Sequence, residues 1–193
     1  MKMLDPKFIA LTAVATFLVG APVVAQEPGC VTAASADDLA GRSSPLDSIS
    51  FTVSGQSVKV CYGRPSARGR TMIGGSAVPF GQIWRTGANE PTMIHTPVAL
   101  SIAGIQVEPG TYALYTVPNE TEWQIVVNRS YSQWGRENFY TAEVEAQEVD
   151  RANVPASEAP DHVEQFTISF DGTNLVMAWE HTLVPVPIAV EGT

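Results

Sequence analysis

Positively charged side chains are concentrated in one stretch of an otherwise acidic chain. The 193-residue sequence carries 11 Lys and Arg against 20 Asp and Glu, a formal net charge of −9. Five cations and no acidic residue lie between positions 59 and 85: Lys59, Arg64, Arg68, Arg70 and Arg85. Arginine forks match carboxylates and phosphates, and nearby glycines let backbone N–H groups approach a ligand. This stretch predicts a pocket for a small anionic or polyhydroxyl molecule, with Arg70 and Arg85 facing Asn89 and Glu90, and Arg64 at the rim.

One tryptophan outside this stretch is a candidate for the same site. Trp134 lies in the loop-like sequence Tyr-Ser-Gln-Trp-Gly at 131–135, whereas Trp123 and Trp179 lie in alternating, strand-like segments. A tryptophan combines a large apolar ring with a polar N–H, which suits stacking against a sugar. We therefore predict that Trp134 joins the ligand-binding set and that the partner is a small molecule or carbohydrate. Trp123 and Trp179 are expected in the core.

Two other interpretations of these residues stay open. In the first, the arginines pair with the acidic segment 137–164 and brace a long loop, as in a structural or accessory envelope domain. In the second, the protein is a carboxylate-dependent hydrolase with Glu90 and Glu180 as nominal candidates, whose separation in space is the test. The sequence has neither a Gly-x-Ser-x-Gly elbow nor a phosphate-binding Gly-Lys-Ser/Thr loop. A non-catalytic binding module is therefore favoured over an enzyme.

The histidines do not form a recognisable metal motif. His95, His162 and His181 lack His-x-His or His-Glu-x-x-His spacing, although His95 and His181 are candidates for neighbouring strands. Metal sites need three or four converging N, O or S groups. We predict neither a metal nor another cofactor. Binding to nucleic acid or to anionic lipid requires positively charged side chains that neutralise phosphates or lipid headgroups. The acidic composition therefore argues against both kinds of partner.

The amino-terminal residues are typical of an export signal. Lys2 and Lys7 precede an apolar run, and a small-residue tail ends at Ala25. The run is shorter than a membrane span, so we expect cleavage after Ala25, no membrane insertion afterwards, and a periplasmic or extracellular location. Cys30 and Cys61 are the two cysteines of the chain. In an oxidising compartment they are predicted to form a disulfide; two separate thiols are the alternative.

Beyond residue 48 the pattern is that of strands. Residues 26–48 are small and polar and predict a flexible arm, whereas Ile49, Phe51 and Val53 alternate with polar residues. Gly55-Gln56 is expected to form a II′ hairpin turn. Eight to ten short strands up to residue 190 predict a single all-β domain, an antiparallel sandwich or barrel-like fold with 63–90 as a long Gly/Arg-rich loop. Residues 151–160 are expected to form a loop, and Pro185 and Pro187 an edge strand or bulge.

Several runs of residues resemble a known bacterial family. The segment Tyr62-Gly63-Arg64-Pro65-Ser66 and the run Pro-Phe-Gly-Gln-Ile-Trp-Arg-Thr-Gly-Ala-Asn-Glu at 79–90 are similar to exported proteins grouped as domain of unknown function 2911. The resemblance continues through Gln133-Trp134-Gly135 to Trp179-Glu180, and covers about residues 49–190. It implies an extracytoplasmic β-rich domain and supplies no catalytic residue.

Overall fold

The chain folds as an antiparallel β-sandwich. A computed structural model describes residues 29–32 and 34–190. Within these residues, six strands form one sheet in the order β1-β2-β3-β6-β7-β8, and four form the other in the order β5-β4-β10-β9. The elements, in chain order, are α1 Ala36–Ala40, β1 Leu46–Val53, β2 Gln56–Gly63, β3 Thr92–Thr96, β4 Leu100–Ile102, β5 Ile105–Val107, β6 Gly110–Val117, β7 Glu122–Asn128, α2 Ala142–Glu145, β8 Glu148–Pro155, β9 Ser157–Phe170 and β10 Asn174–Val190. The predicted all-β class and sandwich are confirmed, and the barrel-like alternative is not what forms.

The first hairpin turns one residue earlier than predicted. Val53 pairs with Gln56, so the two turn residues are Ser54 and Gly55, with φ angles of 49° and 77°. Two consecutive positive φ values define a type I′ turn rather than the expected II′ turn, and both turn types match the twist of paired strands. Strand β1 also begins at Leu46, opposite Gly63, because pairing along β2 continues into residues that show no alternation of their own.

More residues after position 150 form strands than the prolines in this region predicted. The predicted loop 151–160 forms most of β8 and the start of β9. Both are edge strands of their sheets, where a missing N–H costs little. The predicted edge strand at Pro185 and Pro187 is instead part of the 17-residue β10, which lies between β4 and β9. Its register shifts occur at Glu180, which has a φ of 52°.

An aromatic cluster joins the long loop 63–90 to the core. Trp84 lies 5.2 Å from Phe166, 5.9 Å from Trp123 and 5.8 Å from Trp179, measured between ring centroids. All four side chains are buried, and burying each contributes about 1.5–3 kcal/mol. Trp123 and Trp179 are core residues, as predicted. Trp84 thus ties the loop to the core of the sandwich. Within the described residues, no helix is long and apolar enough to span a bilayer.

Candidate functional site

Two of the predicted site arginines hold the loop to the sheet. Arg64 donates to the Phe166 carbonyl at 3.2 Å and to Thr167 Oγ1 at 3.0 Å. It also lies 3.3 Å from Asp47. Arg70 donates to the carbonyls of Ala67 and Ser66 in its own loop. The guanidinium groups of Arg64 and Arg70 thus both bond to other atoms of the protein and stabilise the loop.

Arg85 lies beside the loop that carries Trp134. Its Nη1 donates to the Gly135 carbonyl at 3.4 Å and to Glu137 Oε1 at 3.3 Å. Its Nε is buried and has no hydrogen-bond partner among the residues that the structure describes. Burial lowers the pKa of Arg85, partly offset by the Glu137 carboxylate. The Glu90 carboxylate, which Arg70 and Arg85 were predicted to face, is held by a different arginine, Arg42.

Glu90 forms a two-pronged ion pair with Arg42. Arg42 Nη1 lies 2.6 Å from Oε2 and Nη2 lies 2.7 Å from Oε1, while Thr32 Oγ1 donates to Oε1 at 2.7 Å. The side chains of Arg42 and Glu90 are 9% and 10% exposed. Burial alone would raise the pKa of Glu90, but the bonds from Arg42 and Thr32 outweigh it and hold that pKa below its ordinary value. Glu90 is therefore an ionised, fully partnered carboxylate.

The amino-terminal arm, residues 29–45, is fastened at several points to the body of the domain. A disulfide joins Cys30 to Cys61, with Cα atoms 5.7 Å apart, which confirms the predicted bond. Asn89 Nδ2 donates to the Ser44 carbonyl at 3.0 Å. Between these contacts Ser35 caps the short helix α1, accepting from the Asp38 N–H and donating to Asp38 Oδ2. The arm thus crosses the protein next to the 86–90 turn.

An open depression lies between this arm and the body. It has a volume of about 470 Å³ and is lined by Ala34, Asp38, Arg42, Asn89 and Trp134. The Arg42 guanidinium carbon is 5.7 Å from the centroid of the Trp134 ring. Of the six predicted site residues, the structure brings Asn89 and Trp134 together here, with Glu90 behind Arg42. Sequence reasoning missed Asp38 and Arg42, although Arg42 is the only cation between residues 26 and 58.

The turn that presents Asn89 has an unusual backbone. Thr86 and Asn89 have φ angles of 58° and 68°, which non-glycine residues rarely adopt. Thr86 is buried and bonds Thr116 Oγ1 at 3.1 Å, and Trp84 Nε1 donates to the Gly87 carbonyl at 3.2 Å. Such conformations persist only where the surroundings impose them, and they cluster at functional sites. The Arg-Thr-Gly-Ala-Asn-Glu run is therefore a rigid turn that fixes the position of the Asn89 amide.

The two nominal hydrolase carboxylates both have structural partners. Glu180 lies at the β10 bulge and accepts the N–H groups of Met72 and Ile73, at 3.0 and 2.8 Å for Oε2. It thereby anchors the loop 63–90, while Glu90 anchors the arm. Among residues 29–32 and 34–190, no group of three or more His, Cys, Asp or Glu side chains could hold a metal ion.

The comparison with family models assigns the chain. The model described as "Protein of unknown function (DUF2911)" matches residues 44–188. The chain belongs to this family. No curated protein and no solved structure matches it. The match includes Asn89, Glu90 and Trp134, whereas Ala34, Asp38 and Arg42 precede it. The depression is thus built from one part inside the matched region and one part outside it.

Proposed function

We propose that this protein is an exported, non-catalytic binding module for a small polyhydroxyl ligand such as a saccharide. The observation that carries the proposal is the depression in which Trp134, Asn89, Asp38 and Arg42 meet. An aromatic surface with a few fixed polar groups is the usual composition of a small-molecule site. The half-buried Trp134 ring contributes an aromatic surface beside the Arg42 guanidinium, and the side chains around it offer both donors and acceptors.

The charges around the depression favour a neutral ligand over an anionic one. The positive charge of Arg42 is compensated by its paired contact with Glu90. Asp38 adds a negative charge: its hydrogen bonds from Ser35 lower its pKa, so it is ionised at neutral pH. Hydroxyl groups donate to a carboxylate and accept from an amide N–H, which matches Asp38 and Asn89. A phosphate or carboxylate ligand would meet the repulsion of Asp38.

The partners of the carboxylates favour binding over hydrolysis. A retaining or inverting glycosidase needs two carboxyl groups that reach the substrate, and Glu90 and Glu180 are both held by protein donors. The Cys30–Cys61 disulfide supports an oxidising compartment. Export itself rests on the signal predicted at residues 1–25, which lie outside the described part of the chain.

The test is a binding screen with matched aromatic variants. Neutral and anionic mono- and oligosaccharides are screened by thermal shift, and positive ligands are measured by isothermal titration calorimetry. A ligand at 100 times its Kd raises the free energy of unfolding by about 2.7 kcal/mol. We expect a neutral saccharide to bind, and Trp134→Ala to weaken binding at least tenfold.

The control is Phe139→Ala, which removes another aromatic ring from the same segment. Phe139 is exposed and does not line the depression, so this variant should bind as the wild type does. The proposal is wrong if no saccharide in the screen changes the melting temperature, or if Trp134→Ala and Phe139→Ala bind equally well.

A further inference from the structure

Two histidines face each other across the β9–β10 hairpin. Val163 pairs with Glu180, and His162 and His181 are the next residues of the two strands, at the register shift between Glu180 and Thr182. Their ring centroids are 5.1 Å apart and the ring planes are inclined by 62°. The expectation that His181 would neighbour His95 was wrong, because His95 lies in β3 of the other sheet.

The geometry points to a surface site for a divalent transition-metal ion, held between the imidazoles of His162 and His181. Two imidazole rings with centroids 5.1 Å apart are close enough for one nitrogen of each to reach the same ion. Both histidines are exposed, so their rings can reorient without disturbing the core. Water completes the coordination shell.

The chemistry of the two ligands selects the metal. Imidazole suits Cu²⁺, Ni²⁺ and Zn²⁺, and affinity along the first-row series peaks at Cu²⁺. Mg²⁺ and Ca²⁺ require oxygen ligands and are not expected to bind. With two protein ligands instead of three or four, the site is weaker than a structural zinc site. It is an accessory site that is loaded when the metal is available.

The surrounding strands carry charges that favour a cation. Strand β9 contains the exposed residues Glu158, Asp161 and Glu164, and neither β9 nor β10 contains a lysine or arginine. Clustered acidic side chains raise the local concentration of cations. The acidic side chains of the β9–β10 hairpin therefore attract a cation towards His162 and His181. This site is separate from the Trp134 depression, and its existence does not depend on the proposed function.

The test measures Cu²⁺ binding to the full chain and its histidine variants. Copper is titrated by calorimetry into the wild type, His162→Gln, His181→Gln and the control His95→Gln. His95 is half-buried, with Nδ1 2.9 Å from Thr111 Oγ1, and is not part of the pair. Each variant at the pair should lose at least tenfold in affinity, while His95→Gln should bind as the wild type does.

Electron paramagnetic resonance identifies the ligands. In the wild type, Cu²⁺ should show hyperfine coupling to two imidazole nitrogens, and each pair variant should show one fewer. The inference is overturned if copper does not bind, or if it binds at a position that neither pair variant weakens, such as the amino-terminal amine. Equal affinity for Mg²⁺ and Cu²⁺ would also overturn it, because that result indicates the acidic side chains as ligands.

Discussion

Replacing Arg42 by alanine removes both guanidinium bonds from the buried carboxylate of Glu90. The remaining donor to that carboxylate from the arm is Thr32 Oγ1. Removing one partner of a buried ion pair costs about 3–5 kcal/mol, since the other charge stays buried without compensation. The arm can lift and admit water to Glu90, so we expect the lower end, about 3 kcal/mol. For a domain of this size each kcal/mol changes Tm by about 2–4 °C, which gives a decrease of roughly 6–12 °C.

The assay is urea unfolding at neutral pH, with a double-mutant cycle of Arg42→Ala and Glu90→Ala. The double variant should lose less than the sum of the single variants, since removing the carboxylate also removes the uncompensated charge. The matched control is Arg68→Ala. Arg68 is exposed and its side chain donates one bond, to the Ser43 carbonyl at 3.2 Å, so its loss should be under about 1 kcal/mol.

The pH dependence gives an independent readout of the same pair. Because the pKa of Glu90 is lower in the folded state than its ordinary 4.5, the stabilisation is complete above about pH 4.5. It disappears as the pH falls through the folded-state value. The difference between wild type and Arg42→Ala should therefore shrink on acidification. A loss no larger than that of Arg68→Ala, or a difference that grows in acid, would refute the reasoning.

Three further results are expected. Replacing Cys30 and Cys61 by serine opens a loop of 31 residues and should cost about 3–4 kcal/mol by urea unfolding; unchanged stability would contradict this. Burial raises the pKa of Tyr115 from 10.0 to about 12, so its stabilisation is complete below about pH 10 and is lost as the pH rises towards 12. Tyr115→Phe should accordingly lose stability less steeply than the wild type over that interval, by up to about 1.4 kcal/mol per pH unit, and parallel curves would refute the assignment. Gly63→Ala would place a Cβ 1.9 Å from the Ala88 carbonyl oxygen and should cost about 3 kcal/mol. Gly41→Ala, whose Cβ meets nothing closer than 3.7 Å, should be nearly neutral in the same measurement.

The position of the depression relative to the family match has a consequence for specificity. Asn89 and Trp134 lie inside the matched region and Asp38 and Arg42 outside it. On the proposed function, Asp38→Asn leaves the Arg42–Glu90 ion pair in place and should change which saccharide binds, while Trp134 continues to contribute its ring to the site. The same calorimetric titrations measure this change.

Local patterns in the sequence predicted the all-β class, the core positions of Trp123 and Trp179, and the disulfide as one of two alternatives for the cysteines. Alternating apolar residues and turn residues depend on a few neighbouring positions, and the number of cysteines can be counted. These features can therefore be recognised in the sequence without a structure. They also identified Asn89 and Trp134 as candidates, through a glycine-rich run and a loop-like context. The partner of Glu90 was decided by the tertiary structure alone. Arg42 lies 48 residues away and shows no periodicity, and it reaches Glu90 because the disulfide and the Asn89–Ser44 bond hold the arm against the turn. The proximity of the His162 and His181 rings likewise depends on how β9 and β10 pair. Such long-range contacts form because the folded chain buries apolar surface and gives each buried charge a partner. Both requirements involve the whole chain, so they cannot be predicted from a short segment.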